Sequence, residues 1–420
     1  MTKRILAATG VMVVGLAAVQ TAQAQQKIWN VSATLRGFYD DNYATAPSSP
    51  SPGVTPSRSS LGFELSPSAN VNFVKEQTSL TAGYTYSMKY YEDRPQDTAD
   101  HSHQFQARLN HNFSPRYRLE VSESFAIAQE PQLLDPVTLT RPLRSEGDNM
   151  RNIAGFTFGA DVTRLLGFEV GYQNSWYNYE QEGPNSLSAR LDRTEHLVTL
   201  NSRWNIQPTT IGIFGYQFNV TEHSNGDQIT APVPVLPPPN LVSSTTRDSR
   251  SHYLYIGADH TFTPQLTGSA RIGGQYTEFP NAVPGVSDST VSPYVDVYGS
   301  YSYGEGSYFQ VGVKHNRSST DVNNSLDQQA TAVYGTVNHR ITPKLTANLL
   351  TQYQYSEFNQ GPQDGSSDNY FTVGLNVAYE INQYLTAETG YNYDRLDSDI
   401  TTGNRSYTRN RVYIGIRASY

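Results

Sequence analysis

The sequence contains no cysteine and only four methionines among its 420 residues. Without cysteine the chain can form no disulfide framework, no thiolate metal site and no cysteine nucleophile. Long apolar runs are also scarce, because only residues 5–19 form an extended apolar stretch. No later segment has the roughly 18 apolar residues that a membrane-spanning helix needs. The chain after residue 24 is therefore not predicted to be an α-helical membrane protein.

The single apolar run has the layout of an export signal. Lys3 and Arg4 precede it, and Ala22-Gln23-Ala24 follows it as a small-x-small cleavage site. This order is typical of a secretory signal peptide. We expect residues 1–24 to be a signal peptide that is cleaved after Ala24, and residues 25–420 to form the exported protein of a Gram-negative bacterium.

The exported part is rich in residues that favour β-structure. The full sequence has 30 tyrosines and 31 glycines, and its mean hydropathy is −0.54. This composition suits a soluble β-protein, a disordered chain or an outer-membrane barrel. The segment 370–381, YFTVGLNVAYEI, alternates strictly between apolar residues and smaller or polar ones. A period of two predicts a β-strand with one apolar face, and similar segments recur along the chain.

The connections between these predicted strands alternate between two lengths. Eight are short, at Lys75-Glu76, Ser114-Pro115, Thr163-Arg164, Gln207-Pro208, Thr263-Pro264, Glu305-Gly306, Thr342-Pro343 and Asn382-Gln383. Nine are long and polar, at 40–58, 92–102, 129–149, 180–193, 221–249, 279–288, 317–328, 358–369 and 396–406. Eight turns and nine loops join eighteen strands. An even strand number, with tight turns at one end and long loops at the other, predicts an all-β fold: a transmembrane antiparallel up-and-down β-barrel of about 18 strands.

Aromatic residues at the strand ends distinguish this barrel from a soluble sandwich or propeller, in which repeated short strands also occur. One set adjoins the turns: Phe73, Phe113, Tyr117, Trp204, Phe262, Tyr301, Tyr379 and Tyr384. A second set adjoins the loops: Tyr39, Tyr90, Phe125, Trp176, Phe218, Tyr276, Tyr355 and Tyr391. Two aromatic belts that flank an apolar band are typical of membrane interfaces, so we expect lipid of the outer membrane around the barrel.

Both ends of the exported chain resemble outer-membrane proteins. The last strand alternates from Val412 to Tyr420 and ends on an aromatic residue, which resembles the signal read by the barrel assembly machinery. The first, WNVSATLRGFYDDN from Trp29 to Asn42, runs into Tyr39-Asp40-Asp41-Asn42 and resembles the putative β-barrel porin 2 family. The resemblance implies a barrel to the C-terminus, and an association with exopolysaccharide genes that is frequent in that family.

The face opposite the predicted lipid face carries most charges of the strands. These predicted pore-lining residues, nine basic and seven acidic, are Arg36, Glu64, Lys89, Arg108, Arg118, Glu120, Asp161, Glu169, Arg203, Asp259, Arg271, Asp296, Lys314, Arg340, Glu388 and Arg417. Glu123 is the clearest exception, because it falls on the predicted lipid face. We expect a local bulge near the outer rim to explain its position. A barrel of this size encloses an aqueous channel, although a lumen cross-linked by ion pairs and largely closed is the alternative.

Catalytic and cofactor sites are not predicted. The sequence has no G-x-S-x-G elbow and no H-E-x-x-H helix, so we expect no enzymatic activity, cofactor or metal. His111, His260 and His339 each precede a turn by two or three residues, as in HTFTPQLT from His260. Because they fall on the lipid faces of separate strands, we expect interfacial positions for them and not a shared metal ion.

These patterns predict a porin-like channel for passive diffusion of small hydrophilic solutes. One alternative is a channel or accessory protein for exopolysaccharide export, in which Tyr253 and Tyr255 could stack on sugar rings. Another is a structural or adhesive surface barrel. Loop 129–149 is unusually apolar and is expected to constrict the pore or to contact a neighbouring subunit, whereas the proline-rich loop 221–249 could be a spacer or a lid. No nucleic-acid partner is expected, and the oligomeric state is open.

Overall fold

The computed structural model describes residues 27–47, 59–95, 97–128, 149–223, 227–232, 240–400 and 405–420. The predicted signal peptide and nearly all of loop 129–149 lie outside these residues. The strands are β1 (Trp29–Asp40), β2 (Ser60–Lys75), β3 (Thr78–Tyr91), β4 (Ala99–Ser114), β5 (Tyr117–Ala128), β6 (Asn149–Asp161), β7 (Leu166–Tyr179), β8 (Arg193–Gln207), β9 (Thr210–His223), β10 (Gln228–Thr230), β11 (Leu241–Ser243), β12 (Ser249–Thr261), β13 (Leu266–Glu278), β14 (Ser289–Gly304), β15 (Ser307–Ser318), β16 (Asp327–Thr342), β17 (Leu345–Asn359), β18 (Ser367–Asn382), β19 (Leu385–Ser398) and β20 (Tyr407–Ser419).

Eighteen of these strands form one antiparallel sheet that closes on itself. Each barrel strand pairs with its neighbours in the chain, and β9 pairs with β12 because β10 and β11 form a separate hairpin between them. The sheet closes through β1 and β20, whose register runs from Ser32 opposite Ser419 to Asp40 opposite Arg411. The predicted 18-stranded up-and-down barrel is confirmed.

The closing seam is held at its loop end by the residues that end β1. The buried Asp40 carboxylate accepts two hydrogen bonds from Arg409 Nε, at 3.1 and 2.9 Å, and a further one from Nη2. Asp41 accepts two bonds of 2.6 Å from the backbone and side-chain amides of Asn410. Asn42 Nδ2 donates to Thr408 O at 2.9 Å. The Asp40-Asp41-Asn42 segment therefore joins the first strand of the barrel to the last, and we name these contacts the seam clasp.

The outer wall is apolar and exposed, as the alternation predicts. In β18, Phe371 and Leu375 are exposed while Thr372 between them is buried. All eight residues of the predicted belt at the turns are exposed on the outside, and most of the belt at the loops is as well. An exposed apolar outer wall of this kind is typical of β-barrels that face lipid.

The short turns all lie where the sequence predicts them, between consecutive barrel strands. Thr263 Oγ1 accepts hydrogen bonds from the backbone amides of Gln265 and Leu266, at 3.3 and 3.0 Å. Thr342 does the same for Lys344 and Leu345. Because the hydroxyl satisfies the turn amides where the ladder ends, the proline that follows removes no ladder bond.

The histidines before these turns lie on three different strands, β4, β12 and β16. Hydrogen bonds join His111 Nδ1 to Thr78 Oγ1 and His260 Nδ1 to Thr210 Oγ1, both at 2.8 Å. The ring of His260 also lies edge-on to Phe262, with 4.4 Å between centroids. His339 stacks on the exposed ring of Tyr303, with 5.7 Å between centroids. Each histidine thus forms part of the outer wall beside the belt at the turns.

Glu123 shows that one prediction is wrong. The pairing of β5 runs in unbroken register past Glu123 on both sides, opposite Ala107 of β4 and Ala154 of β6. The register of β4 and β5 shifts only between Asn112 and Ser114, beside the turn. No bulge therefore turns Glu123 inward, and its side chain stays on the outward face between two small residues.

Among the described residues, no helix is long and apolar enough to cross a membrane. The helical turns are α1 (Leu187–Leu191) between β7 and β8, and a 3-10 turn at Ser244–Arg247 before β12. Both lie in the long loops.

Candidate pore lining

Most of the sixteen predicted pore-lining residues meet one another inside the barrel. All except Asp161, Arg340 and Arg417 contact, or lie directly opposite, another member of the set. They form groups on neighbouring strands because antiparallel register brings inward-facing positions side by side.

The first group spans the seam. Arg36 Nη1 lies 3.3 Å from Glu64 Oε2, and Arg36 Nε donates to Glu388 on the other side of β20. Glu64 Oε1 also accepts the hydroxyl of Ser87 at 2.8 Å, and Lys89 lies opposite Glu64 in the register. Two carboxylates and two cations therefore alternate across strands β19, β1, β2 and β3.

A second group centres on Glu169, which is buried. Its Oε2 accepts hydrogen bonds from Arg118 at 3.5 Å and from Arg203 at 3.1 Å, while Oε1 accepts from Asn201 Nδ2 at 3.1 Å. The neighbouring Arg108 and Glu120 form a further ion pair. Glu169 thus neutralises one of two guanidinium groups and leaves this group with a net positive charge.

The third group lies on β12 to β15. Arg271 Nη2 lies 2.8 Å from Asp259 Oδ1. Asp296 sits opposite Arg271 on one side and opposite Lys314 on the other. Charges of opposite sign therefore follow one another across four strands.

The remaining three residues lie near the turn end of the barrel. Asp161 is the last residue of β6 and lies opposite Gly167. Arg340 Nη1 is 3.5 Å from Glu305, within the adjacent turn. Arg417 is opposite Thr34 and Thr386, close to the chain end.

Sequence reasoning missed several ionic pairs near the loop end. Arg193 lies 2.6 Å from Glu195, and Arg317 donates two hydrogen bonds of 2.7 Å to Asp327. The sequence pattern places these residues in the long loops or beside them, and the same holds for Arg409 of the seam clasp. In the structure they belong to strands, because β8 begins at Arg193, β16 at Asp327 and β20 at Tyr407. Extending the apolar and polar alternation of each strand into the adjoining polar segment would have identified these charged residues as inward-facing.

Tyr253 and Tyr255 face inward but are packed and buried. Tyr255 donates its hydroxyl to Asn201 Oδ1 at 2.7 Å, and both rings pack against Tyr294 with centroids 5.3 and 5.5 Å away. The Tyr255 ring covers Gly215, where a Cβ would lie 2.2 Å from it. Glycine is thus required at 215 to seat the ring. Both tyrosines line the cavity inside the barrel, but their burial leaves little ring surface for the stacking on sugars that the exporter alternative invokes.

A cavity of about 370 Å³ lies inside the barrel beside these groups. Its wall includes Glu169 and Arg271 of the ionic groups, and Tyr253. Arg247 and Leu326, which belong to long loops, complete the lining at the loop end. The interior therefore combines polar walls with a loop-built ceiling.

With this architecture established, the chain can be compared with known proteins. A model of the family "Putative beta-barrel porin 2" matches residues 29–420. The chain belongs to this family. The match extends from the first residue of β1 to the C-terminus, so the whole described barrel is the porin-family unit. No curated protein matches the sequence significantly.

Solved structures of other outer-membrane proteins are similar to this porin-family barrel. The outer membrane protein opdK from Pseudomonas aeruginosa has 12% identity and a TM-score of 0.44, over 93% of this chain and 99% of that one. A BenF-like porin from Pseudomonas fluorescens Pf-5 has 13% identity and a TM-score of 0.44, over 93% and 99%. OccAB2 of Acinetobacter baumannii has 12% identity and a TM-score of 0.45, over 93% and 98%.

Proposed function

We propose that this porin-family barrel is a passive channel of the bacterial outer membrane, through which small hydrophilic solutes diffuse. The observation that carries the proposal is the separation of its two faces: the wall outside is apolar and exposed, and the ionic groups lie inside a closed ring of eighteen strands. A barrel of 16–18 strands is wide enough to hold water. The sixteen predicted residues would then line the pathway, and their charges would set its selectivity.

The export features of the sequence support this location. Residues 1–24 would be removed as a signal peptide after Ala24. Tyr420, exposed at the end of the chain, stacks against Tyr384 with 6.5 Å between centroids. This aromatic end would present the last strand to the barrel assembly machinery.

The test is electrical and osmotic. Purified protein in a planar bilayer should give stable, stepwise conductance, and proteoliposomes should swell in sugars up to a size limit. Protein that is folded but neither conducts nor admits sugars would overturn the channel and leave the adhesive surface barrel, whose loops would then bind a partner.

The exporter alternative predicts a different phenotype. Deletion of the gene would abolish secreted polysaccharide while the uptake of small solutes stayed unchanged. The passive channel predicts the reverse pattern, reduced uptake with normal polysaccharide. The packing of Tyr253 and Tyr255 against Tyr294 supports the passive channel.

A further inference from the structure

Three long loops from distant parts of the barrel meet at its loop end. Arg190, between β7 and β8, donates from Nη1 to the backbone oxygen of Asp321 at 2.8 Å. Arg405, between β19 and β20, donates to Oδ2 of the same Asp321 at 2.8 Å. Asp321 itself lies between β15 and β16. One residue thus joins loops that leave the barrel at three separate places.

The barrel geometry shows what these contacts require. Eighteen strands about 4.8 Å apart and tilted by about 40° give a radius of about 18 Å. The loops β7–β8 and β19–β20 emerge eight strand positions apart, so their bases are about 35 Å from each other across the mouth. The base of loop β15–β16 is about 31 Å from the first and about 23 Å from the second. Contacts at 2.8 Å between such loops arise only if they reach inward over the opening.

Arg247 joins a fourth loop, between β9 and β12, to this arrangement. Its Nη1 donates to Arg190 O at 3.3 Å and to Thr320 O at 3.0 Å, and its Nη2 donates to Val322 O at 2.5 Å. One guanidinium group therefore binds three backbone carbonyls from two other loops. We name the described parts of the four loops, 180–192, 227–232 with 240–248, 319–326, and 399–400 with 405–406, the external cap.

The cap has a buried interior of its own. Leu191, Ile229 and Leu326 are each at most 1% exposed, and Arg247 is 2% exposed. Arg247 and Leu326 also line the cavity inside the barrel. These described parts of the cap therefore form a packed ceiling at the loop end of that cavity.

The contacts of Arg247 favour a cap that can open. Burial lowers the pKa of Arg247 to about 9, with nearby Arg190 acting in the same direction, so the group is still charged at neutral pH. Among the described residues its bonds go to carbonyls, and its Nε has no hydrogen-bond partner. Water can replace carbonyl acceptors when the loops separate, and it would also solvate Nε. Opening thus exchanges these three hydrogen bonds for bonds with water, and the cost of burying the charge offsets part of what the three bonds contribute, so the closed cap is favoured by only a small difference in free energy.

We propose that the external cap is a gate over the channel, and that Arg247 holds it closed by binding loops β7–β8 and β15–β16. The proposal rests on the proposed channel function and adds its regulation. The wild-type protein would spend most of its time in a closed or low-conductance state, and solutes would pass when the cap opens.

Single-channel recording of Arg247→Ala and Arg190→Ala tests the gate. Each variant removes contacts that hold the cap closed, and we expect the open probability to rise on the order of tenfold in Arg247→Ala. Arg247→Lys keeps the charge but cannot reach three carbonyls, so an intermediate increase is expected. Arg395→Ala is the matched control, because Arg395 pairs with Asp397 on the exposed end of β19 and contacts no other loop through that pair.

Heat-modifiable migration on gels establishes that each variant contains a folded barrel before it is recorded. If Arg247→Ala fails to fold, Arg190→Ala and Arg247→Lys decide the question. Folded variants with the wild-type open probability and conductance would overturn the gate while leaving the channel in place. Folded wild-type and variant proteins that all lack conductance would overturn both proposals.

Discussion

Most inward carboxylates of the predicted lining have a cation beside them, and this pairing shows how single charged residues are arranged in the barrel. Glu64 meets Arg36, Glu120 meets Arg108, and Asp259 meets Arg271. The sequence predicts which face each charge occupies, because strand alternation is local. It does not predict the partners, which depend on register between distant segments, as in Arg36 and Glu388, which are 352 positions apart.

Glu123 tests the rule that charges of the strands face inward, because its carboxylate lies on the outward face. Replacing it with Gln or Leu should raise the free energy of unfolding by up to about 2 kcal/mol, because an outward carboxylate within the apolar band is costly in lipid. Urea unfolding of the barrel in lipid vesicles measures the change, with Glu123→Asp as the control that retains the charge. A loss of stability in Glu123→Gln would show that the carboxylate has a favourable partner in the membrane.

At the scale of elements, strands and turns were predictable and the long loops were not. The period of two is a local pattern, and its interruptions placed all eight turns; three of these turns also contain a Ser-Pro or Thr-Pro pair. The external cap depends on contacts such as Arg247 with Thr320, 73 positions away, which no local pattern indicates. The strand ends at Asp327 and Arg193 were missed for a related reason, since polar residues there face the interior and resemble loop sequence.

The seam clasp gives the clearest prediction at this scale. Replacing Arg409 with Ala should lower the free energy of unfolding by about 3–5 kcal/mol, because the fully buried Asp40 would lose its counter-charge. The double variant Asp40→Leu, Arg409→Leu should recover much of this loss. Urea unfolding and heat-modifiable migration measure both effects, with Arg395→Ala as an exposed control that should behave like wild type. Equal instability of the single and double variants would show that the ion pair does not account for the effect.

At the scale of the whole barrel, the charges of the predicted pore lining nearly cancel. The predicted lining has nine cations and seven anions, and most of them are paired. A channel with such walls should discriminate weakly between small ions, because the field along its axis is small. This balance could be predicted from the sequence, whereas the loop ceiling over the cavity could not.

Changing the net charge of the group around Glu169 should make the channel selective for either anions or cations. Glu169→Gln leaves Arg118 and Arg203 without their shared carboxylate, and the reversal potential in a KCl gradient should move toward chloride selectivity. Arg203→Gln removes one cation from the same group, and the reversal potential should then move toward potassium selectivity. Shifts of the same sign in both variants, or none in either, would show that this group is not beside the ion pathway.

The seam clasp also affects whether a chain that lacks the last strand can close into a barrel. Asp40 is the last residue of the first barrel strand, and its guanidinium partner Arg409 is synthesised only with the last strand. A truncated or stalled chain that lacks β20 therefore carries a carboxylate with no counter-charge beside an open strand edge. Burial of that carboxylate is unfavourable until β20 is in place, so we expect the clasp to disfavour closure of barrels that lack the last strand.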